Sequence, residues 1–521
     1  MIYKKLLIFL TIGTLSLGLT GCSSKKTDTT DTAAKSGTLY WWRSQEDANI
    51  ETLTAITKNF EAETGTKVQI VLKDPRTYEE DVTKALLSNQ NAVEAPDIVS
   101  YKSENMPAHV LELRPVPEKL FDVKISKGDT KKQTGKTSLQ YAKQLYLDAA
   151  FKAITFNNPA TGKPDLYGLP MAVDTLVLYR NKDALKKAAD NISSKNAIEK
   201  SLTSDELKRR VNLINTAPTT WKELTDAIPF IKITDGNQIS QAAIALGTAN
   251  NVERSYDILQ SVMMQNGTKL TTEDLDAAVF NQSQTGVAAT GSLGEKALSF
   301  YLQFSNPASG LYTWNDKMPN SVEAFKNGQT AMIIHYGSLY RYLINEVPSL
   351  KNSIDIAALP QVSDPKNPTG TDSLKTTSNM WVETVPAARK DSDTTKDENR
   401  KKAAWSFVYY VSSKSGSSEY LKATQLSSAL VDGKDSNRFK AFTDQKKIAD
   451  VWYKGEKALD VDKTFIKMID DAYTNRKSKQ DALDSAATEI TGILQSSKLK
   501  WSTAAARKAI TTEGLDGITQ E

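Results

Sequence analysis

Short runs of β-type apolar residues alternate along this chain with stretches whose apolar positions recur at helical spacing. Residues 38–42 (TLYWW) form a first β-type run. In residues 49–63, Leu53, Ile56 and Phe60 recur at helical spacing, and Gly65 supplies the stop. Residues 67–72 read as a second strand, and Pro96-Asp97-Ile98-Val99 opens a third. This β-α-β-α-β order with short connections predicts parallel strands flanked by helices, hence an α/β lobe. Residues 167–180 (YGLPMAVDTLVLYR) make a longer β-type run opened by Gly168 and Pro170. Thr220 and Glu223 fit a capping box for a helix carrying Trp221 and Leu224. Residues 324–336 pass from a helix end, through Asn327-Gly328, into an apolar strand, and 379–385 form another β-type run. Ala404, Phe407, Val408 and Val411 share one helix face, as do Leu483, Ala486, Ala487, Ile490 and Leu494, so helices dominate after residue 400. The polar stretches 126–138, 191–208, 270–292 and 362–376 read as loops or insertions.

The N-terminus follows a different rule. Lys4 and Lys5 precede an apolar run, Leu6 to Leu19, that is shorter than the roughly 20 residues a bilayer span needs. It ends in Leu19-Thr20-Gly21-Cys22. This resembles a bacterial lipoprotein signal. The resemblance implies a signal peptide over 1–21, cleavage before Cys22, acylation (palmitate) of that residue, and anchoring on the extracytoplasmic face of the cell membrane. The other reading is an ordinary secretory signal with a chance cysteine. Residues 22–37 are polar and small, as a disordered tether would be. Cys22 is the only cysteine, so the mature chain has no disulfide and relies on its core.

Charge and chemistry remove several classes of function. The formal net charge is +4, and loss of Lys4 and Lys5 leaves +2 (4 − 2). No basic block is interleaved with aromatics, so nucleic acid is not expected as a partner. Lys131-Lys132 and Arg400-Lys401-Lys402 read as solvated faces. The two histidines, His109 and His335, are far apart, and Ser-His-Asp, zinc and HExxH arrangements lack their parts. There is no GxGxxG after a strand and no phosphate-binding loop with its lysine. No cofactor, metal or catalytic residue is expected.

Several motifs in order resemble one family. They are Phe60-Glu61-x-Glu63-Thr64-Gly65-x-Lys67-Val68, Ala95-Pro96-Asp97-Ile98, Tyr167-Gly168-Leu169-Pro170 with Val173-Asp174-Thr175 and Tyr179-Arg180-Asn181-Lys182, Pro218-Thr219-Thr220-Trp221-Lys222-Glu223-Leu224, Ala324-Phe325-x-Asn327-Gly328-x-x-Ala331-Met332, and Ala404-Trp405-x-Phe407-Val408. Together they resemble the carbohydrate-binding extracellular solute-binding proteins of ABC importers, the family that includes maltose-binding protein. The resemblance implies an α/β, two-lobe periplasmic-binding-protein fold with discontinuous lobes, hinge strands and a helical C-terminal region. It places lobe one at 38–168 plus 377–413 and lobe two at 169–376 plus 414–521. Ligand would bind in the cleft and be enclosed by hinge closure.

A neutral sugar offers hydroxyls and apolar C–H faces, so its site needs aromatic planes beside Asp, Glu, Asn, Gln or Arg, gathered on loops after strand ends. After the first strand, Trp42, Arg43 and Glu46 fit such a loop; the other reading makes Trp41 and Trp42 strand-end core. After the third strand come Tyr101, Glu104 and Asn105, where the resemblance implies an aromatic and an acid against sugar; Glu104 is otherwise a solvated loop acid. Asp174 is an acid inside an apolar run and needs a partner to be there. The resemblance places a ligand-binding acid at it, and the other reading makes it cap a neighbouring loop. Trp381 faces either cleft or core. Tyr336 follows the fifth motif, where many family sugar binders carry a tryptophan near Ser338 that this chain lacks, and Tyr256 is a further lobe-two candidate. Trp221 and Trp405 sit at core spacing.

The function expected from this resemblance is a lipid-anchored, monomeric receptor, not an enzyme. It captures a carbohydrate, an oligosaccharide by expectation, and delivers it to an ABC permease. The alternatives are the same fold binding a polyamine, peptide or other non-sugar solute, or an anchored glycosidase, which needs two carboxylates roughly 5–10 Å apart.

Overall fold

The computed structural model describes residues 37–45, 50–88, 95–125, 134–283, 291–363, 374–387, 394–435 and 438–502. Cys22, Glu46 and most of the expected tether lie outside the described residues, as do 126–133, 284–290 and 364–373 of the expected loops.

The buried apolar residues separate into two cores, one per lobe. In lobe one, strands Leu39–Ser44, Val68–Lys73 and Ile98–Lys102 are parallel, with the first strand in the middle. Trp381–Thr384 and Leu169–Pro170 extend the sheet in the antiparallel sense. Helix Ile50–Thr64 buries the predicted stripe Leu53, Ile56 and Phe60. Phe60 meets Phe407 of helix Thr394–Ser412 edge-on, with ring centroids 5.1 Å apart. Arg400 on that helix is not a solvated cation. It pairs with Asp97, whose side chain is 2% exposed, and so ties the helix to the start of the third strand.

Lobe two is built around one strand, Ala172–Asn181. It pairs antiparallel with Met332–Tyr336 on one side and Ile354–Ala358 on the other. Its middle, Leu176–Tyr179, is a continuous buried apolar run because both faces are covered there. The predicted capping box is present: Thr220 Oγ1 accepts from Glu223 N at 3.1 Å, and Glu223 Oε2 accepts from Thr220 N at 3.3 Å. The polar stretch 191–208 is not a loop. It lies mostly in helices Lys182–Glu199 and Ser204–Asn215, which start at the side-chain caps Asn181 and Thr203. Only the first half of the longer helix buries a stripe (Ala184, Leu185, Ala188, Ala189), so its exposed half carries no apolar period to read.

The chain crosses between lobes at three places. The first is the Ala172–Asn181 strand itself, with Val173 in one core and Leu176 in the other. Next, strand Thr376–Asn379 hands on through Met380 to Trp381–Thr384. The third crossing lies after Leu430 rather than at 414, because Tyr420, Leu421, Leu426, Ala429 and Leu430 pack into the first core. All three meet on the long strand: Ser427–Ser428 pairs with its start and Ser378–Asn379 with Asp174–Thr175.

Candidate functional site

A cleft, partly open to solvent, lies where these crossings meet. Lobe one contributes Lys102, Trp381 and Tyr420, and lobe two contributes Arg254, Tyr336 and Ser338. Asp174 and Asn379 come from the crossing strands. The mixture of rings with a few polar groups is what small-molecule sites use.

Each ring of the pair Trp381 and Tyr336 carries a cation. Lys102 Nζ lies 5.6 Å from the Trp381 ring centroid, and Arg254 Cζ lies 5.5 Å from that of Tyr336. Tyr78 meets Trp381 edge-on from inside lobe one, with centroids 6.2 Å apart, which fixes the indole plane. Arg254 stands at φ +62°, a left-handed conformation uncommon for a side-chain-bearing residue, just before helix Ser255–Gln265. Its Nη1 donates to the Tyr256 hydroxyl at 2.8 Å.

Asp174 lines this cleft and also holds a turn. Its carboxylate accepts from Gly337 N at 2.7 Å and Ser338 N at 3.2 Å. Position 337 admits no side chain, since a Cβ there would sit 2.5 Å from Phe442 and 3.0 Å from Asp174 Oδ1. The loop-holding role is therefore present alongside the cleft position.

The expected site residues divide. Asp174, Trp381 and Tyr336 come together in the cleft, with Tyr256 directly behind Arg254. Glu46 lies outside the described residues, and the remaining expected residues do not line the cleft. Tyr101 is fully buried, stacked on His109 with centroids 4.0 Å apart. Strand alternation turns Lys102, not Tyr101, toward the cleft. Trp42 is strand-end core, with its carbonyl accepting from Tyr78 Oη at 3.0 Å and Lys73 Nζ 3.9 Å from its ring centroid. Arg43 is 1% exposed and salt-bridged to Glu383, whose other oxygen takes Trp41 Nε1 at 2.7 Å. Asn105 is buried and donates from Nδ2 to Glu79 Oε1 at 2.9 Å. Glu104 pairs with the buried Lys454 at 2.9 Å rather than being solvated.

Lys454 anchors a charge cluster just behind the cleft wall. Its Nζ lies 2.9 Å from Glu104, 3.3 Å from Asp257 and 2.7 Å from Asp462. Burial raises the Asp462 carboxyl to about 7, and the neighbouring Glu104 and Asp257 charges reinforce it against the pull of Lys454. Burial works against the Lys454 ammonium, but the three carboxylates outweigh it and raise its pKa well above the usual lysine value.

Sequence reasoning missed Lys102, Arg254, Asn379, Tyr420 and Lys454. Lys102 and Asn379 are strand-end residues and were open to the loop rule. Arg254 owes its place to a left-handed backbone that no periodicity reports. Tyr420 belongs to a segment assigned to the other lobe.

Known proteins agree with this architecture. A family model described as bacterial extracellular solute-binding protein matches residues 55–447. The galactooligosaccharide-binding protein of Bacillus subtilis (strain 168) is 28% identical over 183 residues, covering 35% of this chain and 36% of the relative. The maltodextrin-binding protein MdxE of the same organism is 29% identical over 190 residues, covering 36% of each. The matched stretch thus spans little more than a third of either relative. Among solved structures, the sugar-binding protein MalE from Xanthomonas citri superposes with a TM-score of 0.61 at 15% identity, covering 89% of this chain and 98% of that one. An ABC transporter solute-binding protein from Thermotoga lettingae, bound with α-D-tagatose, gives a TM-score of 0.58 at 19% identity, covering 88% and 100%. Those likenesses concern the fold, while the family match covers most of the chain, and the protein belongs to the bacterial extracellular solute-binding protein family.

Proposed function

We propose that the protein is a receptor for a neutral carbohydrate, an oligosaccharide by preference, which it holds between its lobes and passes to an ABC permease. One observation carries this reading: rings from both lobes, Trp381 and Tyr336, share a cleft with the hydroxyl-bonding groups Asp174, Asn379 and Arg254. Flat rings suit the C–H faces of sugars and the polar groups suit their hydroxyls. The relatives and neighbours named for sugars support the same ligand class.

Charge argues for a neutral ligand. Lys102, Arg254 and Lys454 stand against Asp174, Glu104, Asp257 and Asp462, and one proton is retained on Asp462 up to about pH 7. The cluster is therefore close to balanced without a charged solute. Asp174 is the only carboxylate among the described lining residues, which leaves a polyamine poorly matched. A glycosidase would need a second acid there. Ligand touching both lobes favours the closed form by its differential affinity, and the permease reads that form.

The sequence Leu19-Thr20-Gly21-Cys22 supports a lipid anchor on Cys22. Among the described residues, no helix is long and apolar enough to cross a membrane. Metabolic labelling with an alkyne fatty acid tests the anchor: the wild-type chain takes up label and Cys22→Ser does not. A thermal-shift screen against neutral oligosaccharides, polyamines and short peptides tests the ligand. A neutral glycan at a hundredfold excess over its Kd raises stability by about 2.7 kcal/mol. Shifts confined to amines or peptides would overturn the carbohydrate reading.

A further inference from the structure

Residues 103–109, which follow the third strand of lobe one, touch both lobes. Toward lobe one they are fixed by buried polar contacts. Asn105 donates to Glu79, and His109 lies between Glu79 (Nε2 to Oε2, 2.9 Å) and Glu112 (Nδ1 to Oε2, 3.0 Å). Toward lobe two, Ala108 is 1% exposed and packs in the second core although it belongs to the first lobe's chain segment. Glu104 makes two contacts with Lys454: its carbonyl accepts from Lys454 N at 3.0 Å, and its Oε2 lies 2.9 Å from Lys454 Nζ. The same ammonium serves Asp257 on helix Ser255–Gln265 and Asp462 on helix Ala458–Tyr473, both in lobe two. One buried cation thus holds a single acid from lobe one and two from lobe two.

We propose that the Glu104–Lys454 pair is a releasable clasp between the lobes, which sets how far the ligand-free protein stands open. A rotation at the crossing strands that separates the lobes must break both Glu104 contacts. The Lys454 side chain is 2% exposed and that of Glu104 13%, so the pair escapes most of the screening that weakens surface ion pairs. Breaking it does not strand a buried charge on either side. Lys454 keeps Asp257 and Asp462, while Glu104 turns to water. A pair that can part without an orphaned charge avoids the penalty of leaving a buried charge uncompensated. The solute then needs to supply only part of the free energy of closing, because the clasp raises the fraction already competent to bind. The clasp acts without solute, so it stands or falls independently of the ligand's identity.

The test uses the ligand-free full chain carrying Cys22→Ser, with spin labels at Lys58→Cys on lobe one and Lys222→Cys on lobe two, both exposed positions. Pulsed electron resonance reads the distance between them. In Glu104→Ala the long-distance population rises by roughly fivefold or more, the factor set by the loss of about 1 kcal/mol. In Asp462→Asn, which removes only a lobe-two partner, it does not rise. An unchanged distribution in Glu104→Ala, or an equal rise in Asp462→Asn, overturns the clasp. If circular dichroism shows that the alanine variant has lost its fold, Glu104→Gln, which removes the charge but keeps the shape, is read by the same criterion.

Discussion

The protein gathers tryptophan, arginine and a carboxylate in two places, once in a buried network and once around a cleft, and the two do opposite things. Inside lobe one, Trp41, Arg43, Ser100 and Glu383 bond to one another with every side chain at most 2% exposed. At the lobe boundary, Trp381, Arg254 and Asp174 are set around an open cleft. The first cluster is buried throughout, although Arg43 Cζ also lies 5.7 Å from the Trp381 ring centroid; the second lies where the chain passes between lobes and leaves a gap. Residue type alone does not separate structure from binding. What separates them is whether a second lobe or a solvent-filled space stands opposite.

That contrast is open to breaking by mutation. The largest effect is expected at Arg43→Met, which leaves Glu383 buried without its cation. Urea unfolding should show a loss of about 3–5 kcal/mol, and a loss below 1 kcal/mol would mean that the sealed cluster is not structural. Trp381→Ala is expected to act on binding more than on folding. Solute affinity falls by about 30-fold, equivalent to roughly 2 kcal/mol, and the stability loss stays smaller than that of Arg43→Met. Equal damage to folding and binding would erase the distinction between the clusters.

A smaller effect belongs to His109. Burial disfavours its charged ring, but the Glu79 charge and the hydrogen bonds to Glu112 and Glu79 outweigh it and raise the pKa from 6.5 to about 10. A group raised by folding stabilises fully below its unfolded pKa, and that contribution disappears as pH climbs through the folded value. Stability should therefore decline between pH 6.5 and about 10, and His109→Gln should flatten that decline. The raised Asp462 carboxyl acts in a separate window, lowering stability as pH rises from 3.8 to about 7 and adding nothing above it. A wild-type profile as flat as that of His109→Gln above pH 7 would contradict the buried charged imidazole.

Much of the architecture was legible because its elements are periodic. The stripe Leu53, Ile56 and Phe60, the capping box at Thr220 and Glu223, and the long apolar strand around Asp174 all lie where their patterns place them. The helices over 182–215 were hidden by polar outer faces. The site was legible where a residue broke its local pattern, as Asp174 does inside an apolar strand. It was hidden where contacts from distant segments decide exposure. Tyr101 and Lys102 are neighbours on one strand, so alternation sends them to opposite faces, but which face meets the cleft is set by where the partner lobe stands: lysine reaches it while tyrosine stacks on His109. Glu104 was singled out for ligand, yet its cation, Lys454, lies 350 positions further along (454 − 104).

A single solute touching both lobes is what would make this cleft a receptor site. Calorimetric titration of the full chain with a series of neutral oligosaccharides, repeated on Trp381→Ala from lobe one and Tyr336→Ala from lobe two, tests this directly. The prediction is single-site binding of one glycan class, weakened at least tenfold in each variant. Binding that survives either substitution unchanged, or that appears only with cationic or peptide solutes, would contradict it.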